Sequence, residues 1–182
     1  MDTYRSTTRR TVVAAALVTP VAVATRGALA QEGTPSPSDI EAIVRSFYEP
    51  FNTGDTSVYE TILAEDWVDT PLGPGQRPGR AGFPPVIDQF RSIFPDLQVT
   101  VEDVLVAGDK AAVRSTIRAT HEGDLFGIPA SGKPVEFMAI DIHRLENGLI
   151  VATWHIEDFL SVLFQIGASI QPGVNAEATP AM

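Results

Sequence analysis

The hydrophobic positions in the first half of the chain recur with a helical period. Ser38 and Glu41 have the spacing of a capping box, which satisfies the free amides of a first helical turn. The apolar positions around and after them lie three or four residues apart, as on the buried stripe of one helix: Ile40, Ile43, Val44, Phe47 and Phe51. Asp55 begins a second, shorter helix, and a third is predicted at 85–93. Residues 70–85 are rich in Pro and Gly and predict irregular structure.

Beyond Pro95 the hydrophobic period changes to about two residues, which indicates extended strands. The pattern predicts strands in direct succession at 97–107, 111–120, 135–145 and 149–157. The last two form a hairpin around Asn147 and Gly148. A short strand at 67–69 and a closing helix at 159–166 complete the set. Because strands follow helices instead of alternating with them, the predicted fold class is α+β with a largely antiparallel sheet.

Both ends of the chain are predicted to lie outside the folded domain. The first residues combine a basic start, an apolar stretch too short to span a bilayer and an Ala-x-Ala site at 28–30. Arg9 and Arg10 indicate a twin-arginine signal. We therefore predict an exported protein, periplasmic or extracellular, without stable membrane insertion after cleavage. The predicted division is an export signal at 1–30, a linker at 31–38, one domain at 39–170 and a flexible tail at 171–182.

Composition narrows the possible chemistry. The 182 residues include no Cys, which excludes disulfides, thiolate nucleophiles and iron–sulfur clusters. A net charge of −10 argues against a nucleic-acid partner, because phosphate binding needs a basic surface. There is no glycine-rich phosphate loop, no nucleophile elbow and no H-E-x-x-H motif. Any imidazole chemistry must use one of three histidines, at 121, 143 and 155.

The length of the last hairpin loop decides which side chains meet. A two-residue turn at 147–148 places Asp141 and His155 on opposite faces of the hairpin. A three-residue loop at 146–148 instead places Asp141 opposite Thr153 and one diagonal step from His155, within reach of a shared hydrogen bond. We favour the longer loop, because it pairs two leucines across the turn and leaves the glycine where a positive φ is required.

In that register the two faces of the hairpin differ in character. One face mixes titratable and apolar side chains: Phe137, Ala139, Asp141, His143, Val151, Thr153, His155 and Glu157. The other is almost entirely apolar: Met138, Ile140, Ile142, Ile150, Ala152, Trp154 and Ile156. The simplest interpretation sends the apolar face to the core and the mixed face to water. We favour the alternative, in which the mixed face lines a cavity and another subunit covers the apolar face.

His155 and Asp141 are the candidate acid–base pair. An imidazole beside a carboxylate is the smallest set of groups that can move a proton. On this hypothesis His155 takes a proton from carbon or water, and Asp141 fixes the ring's tautomer and stabilises the imidazolium. An ordinary salt bridge would use the same two residues, and an iron or zinc site would use them with His143. We expect no metal, because His143 and His155 are too far apart across the hairpin for a compact ligand set.

Several segments resemble one family of proteins. They are F-P-D-L-Q-V-T-V-E-D at 94–103, H-E-G-D-L-F-G-I-P-A-S-G-K-P-V-E-F at 121–137, I-D-I-H-R-L-E-N-G-L-I-V-A-T-W-H-I-E-D at 140–158, F-N-T-G-D at 51–55 and W-V-D-T-P at 67–71. As an ordered set they are similar to the SnoaL-like polyketide cyclases, often called ester cyclases. The resemblance implies a cone-shaped, nuclear-transport-factor-two-like fold, with N-terminal helices packed into a curved sheet around an apolar cavity. It also implies homodimers or higher oligomers.

The resemblance further implies chemistry without cofactor or metal. In the characterised cyclases an acid–base residue on the last strand removes an α-proton from a polyketide ester, and the enolate closes a ring by aldol addition. That position falls on His155 here, and its neighbour on the preceding strand falls on Asp141. The two residue types are exchanged relative to those cyclases. Asp69 matches a position where the cyclases hold a polar amide that contacts substrate.

Two functions of different class follow. The first is a cofactor-independent cyclase or isomerase with His155 as general base and Asp141 as its orienting partner; a hydrolytic variant would use the same base on water. In this hypothesis the substrate, a small apolar or polyketide-like molecule, is contacted by Asp69, Phe51, Phe90 and His143. The second is an exported, non-catalytic protein that binds a small apolar ligand in the same cavity.

Overall fold

The computed structural model of the protein describes residues 36–169. The predicted export signal at 1–30, residues 31–35 of the predicted linker and the tail at 171–182 lie outside the described residues. None of the described helices is long and apolar enough to cross a membrane.

The described residues form helices at both ends of the domain and one sheet. The helices are α1 (Pro37–Ser46), α2 (Glu49–Thr53), α3 (Tyr59–Ile62), α4 (Pro84–Ile93) and α5 (Phe159–Ile166), with a 3-10 turn at Arg80–Gly82. The strands are β1 (Leu63–Thr70), β2 (Gln98–Ala107), β3 (Lys110–Thr120), β4 (Pro134–Glu146) and β5 (Leu149–Glu157).

The first helix begins two residues earlier than the sequence pattern suggested. Ser36 is the N-cap, and its hydroxyl accepts a hydrogen bond from the Asp39 amide at 3.3 Å. The Asp39 carboxylate in turn accepts from the Ser36 amide at 3.0 Å. The predicted capping box at Ser38 and Glu41 is therefore wrong. Pro37 suits the first helical position because the amide that it lacks would have no helical partner there.

The predicted long first helix is broken after Ser46. Pro50 has no amide hydrogen to donate to the carbonyl of residue 46, so the helical bonding cannot continue through this point. The chain turns at Phe47 and Tyr48 and resumes as α2. Phe47 and Tyr48, which lie in this break, are both buried.

The sheet has the strand order β1-β5-β4-β3-β2. The pairs β2–β3, β3–β4 and β4–β5 are antiparallel, and only β1 lies parallel to its neighbour β5. The predicted α+β class with a largely antiparallel sheet is confirmed. The strand predicted at 67–69 is longer than expected, and its parallel pairing aligns Asp69 with Thr153 of β5.

The predicted three-residue hairpin loop is wrong. Asn147 and Gly148 alone form the turn, both at positive φ (52° and 79°), which is the backbone of a tight hairpin turn. A β-bulge at Val151 then inserts one extra residue in β5. The two-residue turn alone would place Asp141 and His155 on opposite faces of the hairpin. The extra residue shifts the pairing by one position, so Asp141 lies directly opposite His155 on the same face.

The bulge also decides which hairpin residues face the interior. Ile150, expected on the outer face, is fully buried against the core, and Val151 is half-buried. Phe137, Ala139, Asp141, His143 and Thr153 are buried as expected for the inner face. The outer face exposes a set of large apolar side chains: Met138, Ile142, Trp154 and Ile156.

The interior holds two hydrophobic clusters. The first joins the N-terminal helices to β1 and the end of the hairpin. In it the stacked rings of Phe47 and Phe83 each contact Tyr59 and Trp67. The second packs α5 against β3 and β4. Arg91 of α4 ties the helices together by donating to the carbonyls of Phe51 and Asn52. These contacts hold Phe51 between the two clusters, where both border a common cavity.

Candidate active site

A cavity of about 600 Å³ opens into the domain between the helices and the inner face of the sheet. Its wall is largely apolar and rich in phenylalanine, including Phe47, Phe51, Phe83, Phe90, Phe94 and Phe137. Phe51 and Phe90 meet edge to face, with ring centroids 6.1 Å apart. The structure therefore places both predicted substrate-contacting phenylalanines on the cavity wall. The volume falls in the range of small-molecule sites, which run from roughly 300 to 1,000 Å³.

Polar groups on three adjacent strands form one cluster on this wall. Asp69 of β1, His155 of β5 and Asp141 of β4 all line the cavity, together with Glu157. Strand pairing brings them together, because β5 lies between β1 and β4. The inner-face location predicted for Asp141 and His155 is confirmed.

His155 is held as a cation. Its Nδ1 lies 2.9 Å from Glu157 Oε1, and its Nε2 lies 2.9 Å from the carbonyl oxygen of Pro71 and 3.3 Å from Asp69 Oδ1. A carbonyl oxygen only accepts, so Nε2 carries a hydrogen, and the carboxylate facing Nδ1 favours a second one there. Burial, the largest single influence, lowers the pKa of His155, but the hydrogen bonds and charges of the two carboxylates outweigh it and raise this pKa to about 10.

Asp141 is the titratable group with the properties of a base. Its side chain is buried, and Tyr48 donates a hydrogen bond to its Oδ2 at 2.9 Å. Burial is the largest influence and raises the pKa of Asp141 to about 6, although the Tyr48 hydrogen bond and the His155 charge act in the opposite direction. Asp141 therefore exchanges its proton near neutral pH.

Asp141 and His155 do not bond to each other. Each has its own partners: Tyr48 for the carboxylate, and Glu157, Pro71 and Asp69 for the ring. The predicted shared hydrogen bond is therefore wrong. The two groups interact through charge across the strand pair, and the imidazolium lowers the pKa of the carboxyl.

A buried hydrogen-bonded chain leads away from Asp141. The indole Nε1 of Trp67, which can only donate, bonds Thr153 Oγ1 at 3.0 Å. Thr153 Oγ1 lies 3.0 Å from His143 Nδ1, and His143 Nε2 lies 3.0 Å from the Tyr48 hydroxyl. If each group donates to the next, His143 is the neutral Nε2-protonated tautomer, and the Tyr48 hydrogen points at Asp141. Every member then has a partner, and the last donor stabilises the ionised carboxylate.

His143 does not line the cavity. The ring is fully buried behind Asp141, between Tyr48 and Thr153, so the predicted substrate contact of His143 has no support in its position. Burial, and then the positive charge of His155, lower its pKa to about 3, which keeps the ring neutral. Among residues 36–169, no group of three or more His, Asp or Glu side chains is arranged to hold a metal ion.

Asp69 fixes the loop that follows β1. It is 8% exposed, and its Oδ2 accepts a hydrogen bond from Gln76 Nε2 at 2.8 Å. Gln76 Oε1 accepts in turn from the Gly73 amide. The loop therefore stays close to β1, and the Pro71 carbonyl within it is positioned over His155.

Sequence reasoning missed three contributors to this site. Tyr48 lies four residues after Val44 and eight after Ile40, so the helical spacing could have identified it as buried, but the spacing does not reveal the partner of its hydroxyl. The Pro71 carbonyl, which accepts from His155, lies in a segment predicted to be irregular. Every residue has a backbone carbonyl, so the sequence does not show which one acts as an acceptor. Glu157 was placed on the inner face, but its ion pair with His155, at 2.9 Å, was not anticipated.

The fold and the site together define a class: an α+β domain whose sheet and helices enclose an apolar cavity with a buried carboxylate and an imidazolium on one wall. The family model for SnoaL-like polyketide cyclases matches residues 42–166. The chain belongs to this family, and the predicted family and fold class are confirmed. Among curated protein sequences, none matches the chain significantly.

Solved structures agree with this assignment. TsrD from Streptomyces laurentii is 29% identical with a TM-score of 0.69, and the alignment covers 75% of this chain and 100% of TsrD. IdmH from Streptomyces antibioticus, named as a candidate polyketide cyclase, is 32% identical with a TM-score of 0.61 over 70% of this chain and 98% of its own. A candidate polyketide cyclase from Bacillus cereus is 29% identical with a TM-score of 0.64, covering 73% and 83% of the two chains.

Proposed function

We propose that the protein is a cofactor-independent ester cyclase or isomerase in which Asp141, and not His155, is the general base. The observation that carries the proposal is a buried carboxylate with a pKa of about 6 that faces an apolar cavity beside an imidazolium. A base with a pKa near the working pH is both ionised and able to accept a proton. The hypothesis that His155 is the base is replaced, because both of its ring nitrogens face acceptors.

The proposed reaction needs only the substrate and the carboxyl group of Asp141. Asp141 takes a proton from the carbon between two carbonyl groups, and the electron pair of the broken C–H bond moves onto a carbonyl oxygen. The enolate carbon attacks the carbon of a third, more distant carbonyl group of the same molecule and forms a C–C bond. The resulting alkoxide receives the proton back from Asp141, which returns to the carboxylate. The imidazolium of His155 stabilises the negative charge of the intermediate through space.

The charges around the cavity favour a neutral substrate. Asp69, Asp141 and Glu157 contribute carboxylates to one wall, and His155 contributes a single positive charge that two of them already share. No Lys or Arg lies on the part of the cavity wall that the structure describes. A free carboxylic acid would meet repulsion here, whereas an ester or ketone would not. A small apolar or polyketide-like ester is the proposed ligand.

Exchange of the α-proton with deuterium tests the proposed function without requiring the natural substrate. Neutral aromatic β-keto esters are incubated with the protein in deuterated buffer, and loss of the α-proton signal is followed by NMR, with the rate in the absence of protein subtracted. We expect catalysed exchange. A protein that binds these esters by calorimetry but never accelerates exchange would instead be a ligand-binding protein, and the proposal would fail.

We also propose that the protein forms a homodimer or higher homo-oligomer through the outer face of the hairpin. Trp154 and Ile142 are paired neighbours on β5 and β4 and are about two-fifths exposed, and Ile156 is 70% exposed. With Met138 they form an exposed apolar set on the outer face of the hairpin, and Ile156 also borders the cavity. A second copy of the same surface would remove these side chains from water.

Trp154→Glu is expected to dissociate the oligomer, because a buried unpaired carboxylate opposes association. Sedimentation velocity at micromolar concentration measures the effect. Leu105→Glu is the control, since Leu105 is similarly apolar and 71% exposed but lies on the edge strand β2. A parent protein that sediments as a monomer, or equal dissociation by both variants, would contradict an interface on the hairpin.

A further inference from the structure

One buried polar group on the cavity wall has no partner in the protein. Ser115 of β3 is 1% exposed and lines the cavity. Within residues 36–169, its hydroxyl makes no hydrogen bond. Its cross-strand neighbours are Ala139 on β4 and Val101 on β2, which offer no polar side chain. A buried hydroxyl without a hydrogen bond lowers the stability of the fold, so a functional role would explain why a serine stands here.

The other buried donors on the same wall are already used. The Tyr48 hydroxyl donates to Asp141, and Thr153 and His155 have partners within the polar cluster. Among the buried hydroxyls that line the described cavity, only that of Ser115 is left over. It is therefore free to bond to a ligand.

The strand register places Ser115 close to the proposed base. Ser115 pairs with Ala139, two residues before Asp141 on the same face of β4. Diagonal neighbours of this kind have Cα atoms roughly 7–8 Å apart. A carbonyl group and its adjacent carbon can bridge such a span, with the oxygen at the hydroxyl and the carbon at the carboxylate. A β-bulge at Glu102 interrupts β2 directly beside Ser115, and bulges of this kind commonly re-aim side chains at functional sites.

We propose that Ser115 donates a hydrogen bond to the ketone oxygen of the bound ester, the atom that carries the negative charge once Asp141 has removed the α-proton. The proposal rests on the proposed function and adds to it a specificity-determining group. Ser115 selects ligands with a carbonyl oxygen at this depth of the cavity. Its bond strengthens as charge develops on that oxygen, so it contributes more to the reaction rate than to binding.

The experiment uses three probes that separate these effects. An aromatic β-keto ester reports α-proton exchange. Its α,α-dimethyl derivative keeps both carbonyl groups but has no α-proton, so it reports binding alone by calorimetry. A third analogue replaces the ketone oxygen of that derivative with a methylene group. The variants are Ser115→Ala, which removes the donor, and Ser115→Cys, which keeps the size and only a weak donor.

In Ser115→Ala we expect exchange to slow about 100-fold, as for loss of one donor to a developing oxyanion. Affinity for the dimethyl ester should fall about 3- to 10-fold, the effect of one neutral hydrogen bond. Affinity for the methylene analogue should not change, and the melting temperature should stay equal or rise. Ser115→Cys should lie between the parent and the Ala variant.

The opposite pattern would overturn the proposal. Unchanged exchange and unchanged ester affinity in Ser115→Ala would show that the hydroxyl has no ligand. Equal losses of affinity for the ester and the methylene analogue, with a lower melting temperature, would show a structural role. If the parent protein catalyses no exchange, the proposed function fails. A selective loss of affinity for the ketone probe would still support the hydrogen bond from Ser115.

Discussion

Asp141→Asn is expected to slow α-proton exchange by about 100- to 10,000-fold, the usual contribution of a general base. The same change is expected to stabilise the folded protein near pH 8. Burial raises the pKa of Asp141 from 3.8 to about 6, so the ionised carboxylate costs folding free energy. An amide carries no charge and still accepts the Tyr48 hydrogen bond, so the expected gain is about 1–3 kcal/mol. Urea unfolding and the NMR exchange assay measure the two effects.

The sign of the stability effect depends on pH. Between pH 3.8 and 6 the folded protein binds more protons at Asp141 than the unfolded chain does, so this residue makes the parent less stable as pH rises through that window. The advantage of Asp141→Asn should therefore be small near pH 4 and reach its full size above pH 6. Asp124→Asn is the matched control, because Asp124 also lines the cavity but is exposed. A less stable Asp141→Asn variant, or one with full exchange activity, would contradict the role of a buried base.

His155→Gln is expected to have the second largest effect, and it should act in two ways. Loss of the imidazolium removes a charge that lowers the pKa of Asp141, so the acid limb of the pH profile should move above 6. Exchange should slow about 100-fold as charge stabilisation is lost. Asp69 and Glu157 would lose the cation that they share, at a cost of about 2–4 kcal/mol. The pH dependence of exchange and urea unfolding measure these changes.

The stability difference between the parent and His155→Gln also has an expected pH dependence. The pKa of His155 is raised from 6.5 to about 10 in the folded protein, so its contribution is complete below pH 6.5 and is lost as pH rises towards 10. Adding Glu157→Gln should restore part of the stability, because it removes one unpaired carboxylate, without restoring exchange. An unmoved acid limb in His155→Gln would show that the ring does not act on Asp141.

The site's location could be predicted from the sequence, although one step of the reasoning was wrong. Alternation along 135–157 identified the hairpin, and Asn147 with Gly148 identified its turn. The three-residue loop was favoured because it pairs two leucines and leaves Gly148 at a positive φ, whereas the structure brings Asp141 and His155 to one face with a two-residue turn and a bulge at Val151. Either arrangement adds one residue to the hairpin relative to a plain two-residue turn, so both place Asp141 and His155 on the same face. A bulge within a run of apolar residues leaves no periodic signal that could reveal it.

The chemical roles of the two residues could not be predicted from the hairpin alone. The partners that make His155 a cation include Asp69 on a parallel strand and the Pro71 carbonyl in an irregular loop, both more than eighty positions away. The Tyr48 hydroxyl that donates to Asp141 comes from the segment between α1 and α2, 93 positions earlier in the chain. The pKa values of Asp141 and His155 depend on burial and on these distant neighbours. The residue types alone therefore could not show which of the two is the base.

The pH dependence of kcat/KM for α-proton exchange by the parent protein tests the central claim most directly. If Asp141 is the base and His155 remains an imidazolium, kcat/KM rises through pH about 6 and stays level until it falls near pH 10. A rate that is negligible at neutral pH and rises only near pH 10, as a free imidazole at His155 would require, would contradict it.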